Sequence, residues 1–159
     1  DKGRPVGPGE VGELFSRSPY LFSGYWGNPQ TISSMKEGWF SAGDLAQIDD
    51  EGFVYLVDRK MDMIISGGVN IYPREIEEIL YEHPAIFDAA VIGVPDRYWG
   101  ESVKAYVVLR ENQSADSDGL SDFCGKTLAG YKIPKAFEFI SALPRGSTGK
   151  VLKRKLHNL

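Results

Sequence analysis

Residues 86–94 read Ile-Phe-Asp-Ala-Ala-Val-Ile-Gly-Val, a nearly continuous apolar run of the kind that marks a buried strand. Residues 102–110 follow with the period of a second strand, Val103, Ala105, Val107 and Leu109 alternating with Lys104, Tyr106 and Arg110. Upstream, Met63–Ser66 and Val69–Tyr72 are extended pieces around Gly67-Gly68, the pairing expected of a tight hairpin. Pro73 suits the first turn of a helix, in which Ile76, Ile79, Leu80 and His83 recur at helical spacing. Glu75, Glu77 and Glu78 lie off that stripe, and the early acids complement the helix dipole. Downstream come a polar loop at 111–119, a helix with Leu120, Phe123, Cys124 and Leu128, a short strand at Ala136–Ile140, a Pro/Gly loop at 144–149 and a final basic helix. The expected fold is α+β: a hairpin and a short, mostly antiparallel sheet flanked by helices.

Residues 1–58 differ in texture. They are rich in Gly, Pro and aromatics, with extended pieces at Val11–Ser16 and Phe53–Val57, and with a short helix expected after Pro29-Gln30-Thr31 that Gly38-Trp39-Phe40 ends. The segment is too short and loop-rich to own a full core. The composition shifts at about 58–62, and no internal repeat or low-complexity tract is visible.

A content of 42% hydrophobic and 25% charged residues places the chain among ordinary globular proteins. The net charge of −4 argues against nucleic-acid binding, which needs a basic surface to displace counterions. Beyond Phe139 there is no acid, so Arg145, Lys150, Lys153, Arg154 and Lys155 give the tail a local positive field. One cysteine, Cys124, cannot form an internal disulfide, and a reduced, cytoplasmic setting fits it. No apolar run approaches the roughly 18 residues of a membrane span. The opening Asp1-Lys2-Gly3-Arg4-Pro5 lacks Met and a signal-peptide layout, and reads as the middle of a loop in an excised piece.

Four places carry candidate chemistry. The loop from Leu143 to Lys150 has glycines at 146 and 149 and delivers one lysine amid basic neighbours, which suits oxyanion or phosphate binding. Its spacing is not that of a phosphate-cradling P-loop, and a solvated helix start is the competing reading of Lys150. Asp44, after Gly43, is placed either to accept hydrogen bonds from the vicinal hydroxyls of a ribose or simply to form a turn. Arg59 suits a phosphate or a surface ion pair with Asp58 or Asp62. Gly67 and Gly68 allow either close ligand approach or a plain turn. No metal site is assigned.

In order along the chain, Gly12-Glu13-Leu14, Gly24-Tyr25-Trp26, Gly38-Trp39-Phe40, Gly43-Asp44-Leu45, Asp58 through Pro73, Trp99-Gly100-Glu101, Tyr131 through Pro134, and Leu143 through Lys150 resemble the adenylate-forming superfamily. That superfamily holds acyl-CoA synthetases, firefly luciferases and peptide-synthetase adenylation domains. The resemblance runs from about Gly9 to Leu156, and the joint order carries its specificity. The stretch Asp62–Pro73 is more similar to acyl-CoA synthetases, those for fatty or aromatic acids above all.

The resemblance implies a C-terminal piece of such an enzyme: residues 1–58 as the β-rich end of a large N-terminal adenylation domain, 59–62 as a hinge, and 63–159 as a mobile C-terminal domain. It implies that a carboxylic acid reacts with MgATP to an acyl-adenylate, from which coenzyme A then displaces AMP. ATP with Mg2+ and coenzyme A are substrates, and no tightly bound cofactor is expected. Lys150 is implied to be catalytic, bridging carboxylate and α-phosphate; Asp44 and Arg59 bind ATP or AMP; Gly67, Gly68 and Trp99 contact coenzyme A. Trp99 reads equally as an anchor between two strands. Partners implied are the acid, the missing N-terminal domain and a protein acetyltransferase acting on Lys150. The piece alone is expected to be inactive. Two positions depart from the pattern: Met61 stands at the hinge where relatives usually carry Asp or Lys, and Ala42 replaces a common threonine. A noncatalytic interaction module with a basic tail is the alternative of a different class.

Overall fold

In a computed structural model, Gly67 and Gly68 turn the chain at φ of +58° and +81°, the left-handed pair that lets a two-residue turn follow the twist of its flanking strands. They join β4 (Ile64–Ser66) to β5 (Val69–Ile71), with Ser66 facing Val69 across the turn. The described residues are 3–24, 26 and 37–159, so the helix expected after Pro29-Gln30-Thr31 lies outside them. The chain divides into two units, Asp1–Met61 and Asp62–Leu159.

The first unit holds an antiparallel sheet of β1 (Val11–Glu13), β2 (Asp44–Ile48) and β3 (Val54–Arg59), in that spatial order. Both extended segments read from the sequence are present, with shifted ends. Ser16 makes only an isolated bridge to Phe40. Among the unit's described residues only Leu45 and Ala46 are buried, while Phe53, Val54, Tyr55 and Leu56 are all at least 50% exposed.

The second unit is organised by a long hairpin of β6 (Ile86–Asp96) and β7 (Gly100–Leu109), paired from end to end except for a register shift at Phe87. One edge of β7 is taken by β6. The other is shared: β4 pairs at Gly100, and β8 (Ala136–Phe139) runs parallel to β7 from Lys104 to Val107. The sheet is antiparallel except at β8.

Helix α1 (Pro73–Tyr81) starts on its proline, which needs no amide partner there. Its Ile76 and Leu80 are fully buried. Helix α2 (Ser117–Gly125) starts on Asp116, whose carboxylate accepts the Gly119 N–H at 2.8 Å, and it buries Leu120 and the free thiol Cys124. These helices cover one face of the sheet, where Val91, Val103, Ala105 and Val107 complete a single apolar cluster.

The opposite face, which carries Lys104 and Tyr106, is also covered. Ala90, Ile92, Tyr106 and Val108 pack with Leu143 and Leu156, the latter on the one-turn helix α3 (Lys153–Leu156). The Tyr106 hydroxyl donates to the Leu156 carbonyl at 2.8 Å. Full burial of a leucine contributes about 1.5–3 kcal/mol, so Leu156 seats the chain just beyond Lys150 on the sheet. No described helix is long and apolar enough to cross a membrane.

Candidate functional site

Antiparallel register sets Asp44 at the start of β2 directly across from Arg59 at the end of β3. Their side chains meet, Nε to Oδ1, at 3.3 Å. The turn into Asp44 is ordered by its neighbours. Gly43 has φ +80°; its amide donates to Ser41 Oγ at 3.0 Å, and its carbonyl accepts the Lys60 N–H at 2.8 Å. Ser41 Oγ in turn donates to Glu13 at 2.7 Å, and Lys60 Nζ reaches the same carboxylate at 2.7 Å. Ser41 thus supplies a hydroxyl to this turn beside the position where Ala42 lacks one. The Asp44–Arg59 pair is half exposed, so it holds geometry more than it stabilises the fold.

Gly67 and Trp99 also come together. The Gly67 amide donates to the Trp99 carbonyl at 2.8 Å, and a Cβ on Gly67 would stand 2.8 Å from Trp99 Cε3. Gly68, by contrast, faces open space. Trp99 is 54% exposed and sits in the β6–β7 turn, where Asp96 accepts the amides of Tyr98 and Trp99 at 2.8 and 3.0 Å. Those two amides hold the Asp96 carboxyl below its usual range. Lys135 completes the group, its ammonium 5.3 Å from the indole centroid and 3.6 Å from Asp96. Trp99 is therefore an anchor of the strand turn whose indole stays half exposed.

Lys150 stands on a small hairpin of its own. Arg145 and Val151 form an antiparallel bridge, the Gly146 N–H donates to the Lys150 carbonyl at 2.9 Å, and Gly149 closes the tip at φ +79° with its amide on Gly146. The Lys150 side chain is exposed and makes no hydrogen bond or ion pair among the described residues. Its neighbours do. Lys153 pairs with Glu77 at 2.8 Å with both side chains largely buried, and Arg145 pairs with Asp88. The positive field of the tail is thereby cut back at these two positions by acids from α1 and β6, leaving Lys150, Arg154 and Lys155 exposed.

The residues missed by sequence reasoning are Asp88, Tyr81 and Glu77. Asp88 is 7% exposed; besides Arg145 it accepts the Tyr81 hydroxyl at 2.7 Å and the Ala89 amide at 3.1 Å. Burial and the Asp88 hydrogen bond push the Tyr81 phenol up to about 12, and Asp88 raises the Arg145 guanidinium as well. Glu77 also accepts the Val91 amide at 2.8 Å. One signal for Asp88 was in the sequence: it is the one charged residue in the apolar run 86–94, and a charge inside a buried strand needs a partner. Cys124, whose thiol is pushed up by burial, stays neutral and takes no part in these groups. Among the described residues no cluster of His, Cys, Asp or Glu could hold a metal ion.

Residues 75–150 match the family of the AMP-binding enzyme C-terminal domain. The chain is 48% identical over 157 residues, 98% of its length, to the long-chain-fatty-acid–CoA ligase of Bacillus subtilis, and 49% identical over 95% of its length to a feruloyl-CoA synthase of an Amycolatopsis species. Among solved structures it is similar to the o-succinylbenzoate CoA synthetase of Bacillus subtilis in complex with its acyl-adenylate intermediate, with a TM-score of 0.92, 39% identity and 98% of this chain covered. The chain spans only 28% and 31% of the two ligases and 32% of that structure.

Proposed function

We propose, from the match of residues 75–150 to the family of the AMP-binding enzyme C-terminal domain, that the chain is the C-terminal part of an AMP-forming acyl-CoA synthetase. The acid's carboxylate oxygen attacks the α-phosphorus of MgATP, the bond to the β-phosphate breaks, and pyrophosphate leaves. The sulfur of coenzyme A then attacks the acyl carbon, the bond to AMP breaks, and AMP leaves.

The observation that carries this reading is the state of Lys150: an exposed ammonium, unpaired among the described residues, at the end of a hairpin whose base is packed on the sheet. Adenylation brings two anions together, and a placed cation opposes their repulsion most where charge is shared in the transition state. Asp44 and Arg59, opposed across two strands, serve the ribose hydroxyls and the phosphate side of the nucleotide. Gly68, which faces open space, leaves room for a narrow pantetheine chain, while Gly67 makes room for the half-exposed indole of Trp99 that lines the same turn. Residues 59–62, with Met61 79% exposed at the division between the two units, act as the hinge that alternates the two half-reactions.

The acid is of the fatty or aromatic class, the two represented among the relatives named above. The piece by itself turns nothing over, because the acid pocket and most of the ATP pocket belong to the larger enzyme. In the full-length enzyme, Lys150→Ala should lower ATP–pyrophosphate exchange by about 10²–10³ while leaving thioester formation from supplied acyl-adenylate nearly intact. Equal loss of both steps would rule out the assignment of Lys150 to adenylation. A panel of fatty and aromatic acids in the same exchange assay identifies the substrate, and no exchange with any acid would favour the noncatalytic module.

A further inference from the structure

We propose that Asp88, Tyr81 and Arg145 form a positioning device that aims the Lys150 hairpin, so that the reach of the catalytic ammonium is set from the interior of the sheet. The proposal rests on the adenylation role assigned to Lys150 above. Asp88 sits in β6 with its side chain 10% exposed, held from behind by the Tyr81 hydroxyl on one oxygen. Its other oxygen takes one terminal nitrogen of Arg145, Nη2. The second terminal nitrogen, Nη1, donates to the Gly149 carbonyl at 2.6 Å. One planar guanidinium thus joins a buried carboxylate to the residue immediately before Lys150.

Packing of Leu143, Val151 and Leu156 seats the base of the hairpin. Those apolar contacts are non-directional, and the directional ones nearby, Tyr106 to the Leu156 carbonyl and Lys153 to Glu77, hold the segment after Val151 and not the tip. The tip is closed by its own backbone hydrogen bonds, Gly149 to Gly146 and Gly146 to Lys150, and those move with it. The arginine fork supplies the missing direction, because its two nitrogens point along fixed, nearly parallel lines. A lysine carries the same charge as a compact point on a flexible stem and cannot satisfy both acceptors in one geometry. The phenol of Tyr81, kept protonated far into alkali, remains a donor to Asp88 and fixes the carboxylate plane. All three are assigned a positioning role, exerted through Lys150.

The test is made in the full-length enzyme with Arg145→Lys, Asp88→Asn and, as reference, Lys150→Ala. Three quantities are read: ATP–pyrophosphate exchange, thioester formation from supplied acyl-adenylate and, in the wild type and the two variants that keep Lys150, the rate at which a lysine-specific protease cuts after residue 150, with the fragments told apart by mass from any cut at the new lysine of Arg145→Lys. Misplacement of a catalytic group by about 1 Å costs on the order of 10²-fold. Arg145→Lys and Asp88→Asn should therefore lower the kcat of exchange by about 10- to 100-fold, change KM for ATP by less than about threefold, and leave the thioester step within about twofold. Cleavage after Lys150 should accelerate by about tenfold in both variants. Exchange within about twofold of wild type in Arg145→Lys, or equal loss of both half-reactions in that variant, overturns the proposal. Should Asp88→Asn fail to fold, the Arg145→Lys comparison decides alone, since its side chain is 46% exposed and retains the charge. If Lys150→Ala itself loses both steps equally while cleavage still accelerates in Arg145→Lys, the anchor stands and the adenylation role of Lys150 falls.

Discussion

Gly67 lies so close under Trp99 that a Cβ on it would stand 2.8 Å from indole Cε3 and 3.2 Å from Cζ3, whereas its neighbour Gly68 has nothing within 4 Å. Both glycines have positive φ, +58° and +81°. The two are alike in backbone and unlike in surroundings, which separates the cost of strain from the cost of crowding.

Alanine at either position should cost about 1–2 kcal/mol for the left-handed backbone, and at Gly67 the indole must move as well. Thermal unfolding should show Gly67→Ala less stable than Gly68→Ala, and the gap should close to about 0.5 kcal/mol or less in a Trp99→Ala background. A gap that survives loss of the indole would mean that Trp99 is not what crowds Gly67. If the turn lines the coenzyme A path, Gly67→Ala also slows thioester formation more than pyrophosphate exchange.

Asp44 and Arg59 are paired, with side chains 30% and 52% exposed, and such pairs contribute at most about 1 kcal/mol to stability. Hydrogen bonds to charged groups are worth about 1.5–3 kcal/mol. In the full-length enzyme Asp44→Ala should therefore lower kcat/KM for ATP by about 10- to 150-fold with little change in melting temperature. An unaltered ATP dependence removes Asp44 from the nucleotide site.

The acids of α1 differ in burial, and their stability effects should follow. Glu77 and Lys153 have side chains 16% and 17% exposed, and Glu77 also accepts the Val91 amide at 2.8 Å. Removing one partner of such a pair costs about 3–5 kcal/mol. Glu78, paired with Arg74 in an i,i+4 arrangement at 63% and 54% exposure, should cost less than about 0.5 kcal/mol when replaced by alanine. Urea unfolding of Glu77→Ala and Glu78→Ala measures the contrast. Equal midpoints would show that the Glu77 pair is open to water in solution.

Tyr81 carries a pH signature. Its folded value, about 12, lies above the ordinary 10.0 because burial and Asp88 both disfavour the phenolate. Deprotonation is therefore easier in the unfolded chain. The phenol's stabilisation is complete below pH 10 and is lost as the pH rises towards 12. The melting temperature of the wild type should fall across that window more steeply than that of Tyr81→Phe. Parallel curves would show that the phenol is not held by Asp88.

What was legible in the sequence was short-ranged. Two adjacent glycines demand a left-handed turn, a proline opens a helix, and an apolar run with a period-two neighbour makes a buried hairpin; each outcome is dictated by the sterics and solvation of residues close in the chain. The sequence also ordered the motifs that carry the family resemblance, and it placed Lys150 on a glycine-flanked loop. It did not say which charges meet. Arg145 and Asp88 are separated by 57 positions, as are Lys132 and Glu75, and Tyr106 reaches Leu156 across 50. Those partnerships depend on which strands share an edge and which face the C-terminal segment crosses, and no local pattern encodes that. A lone aspartate in an apolar strand announces that some partner exists, because a buried charge must be compensated. Only the tertiary structure decides that the partner is the arginine whose other nitrogen holds the carbonyl before Lys150.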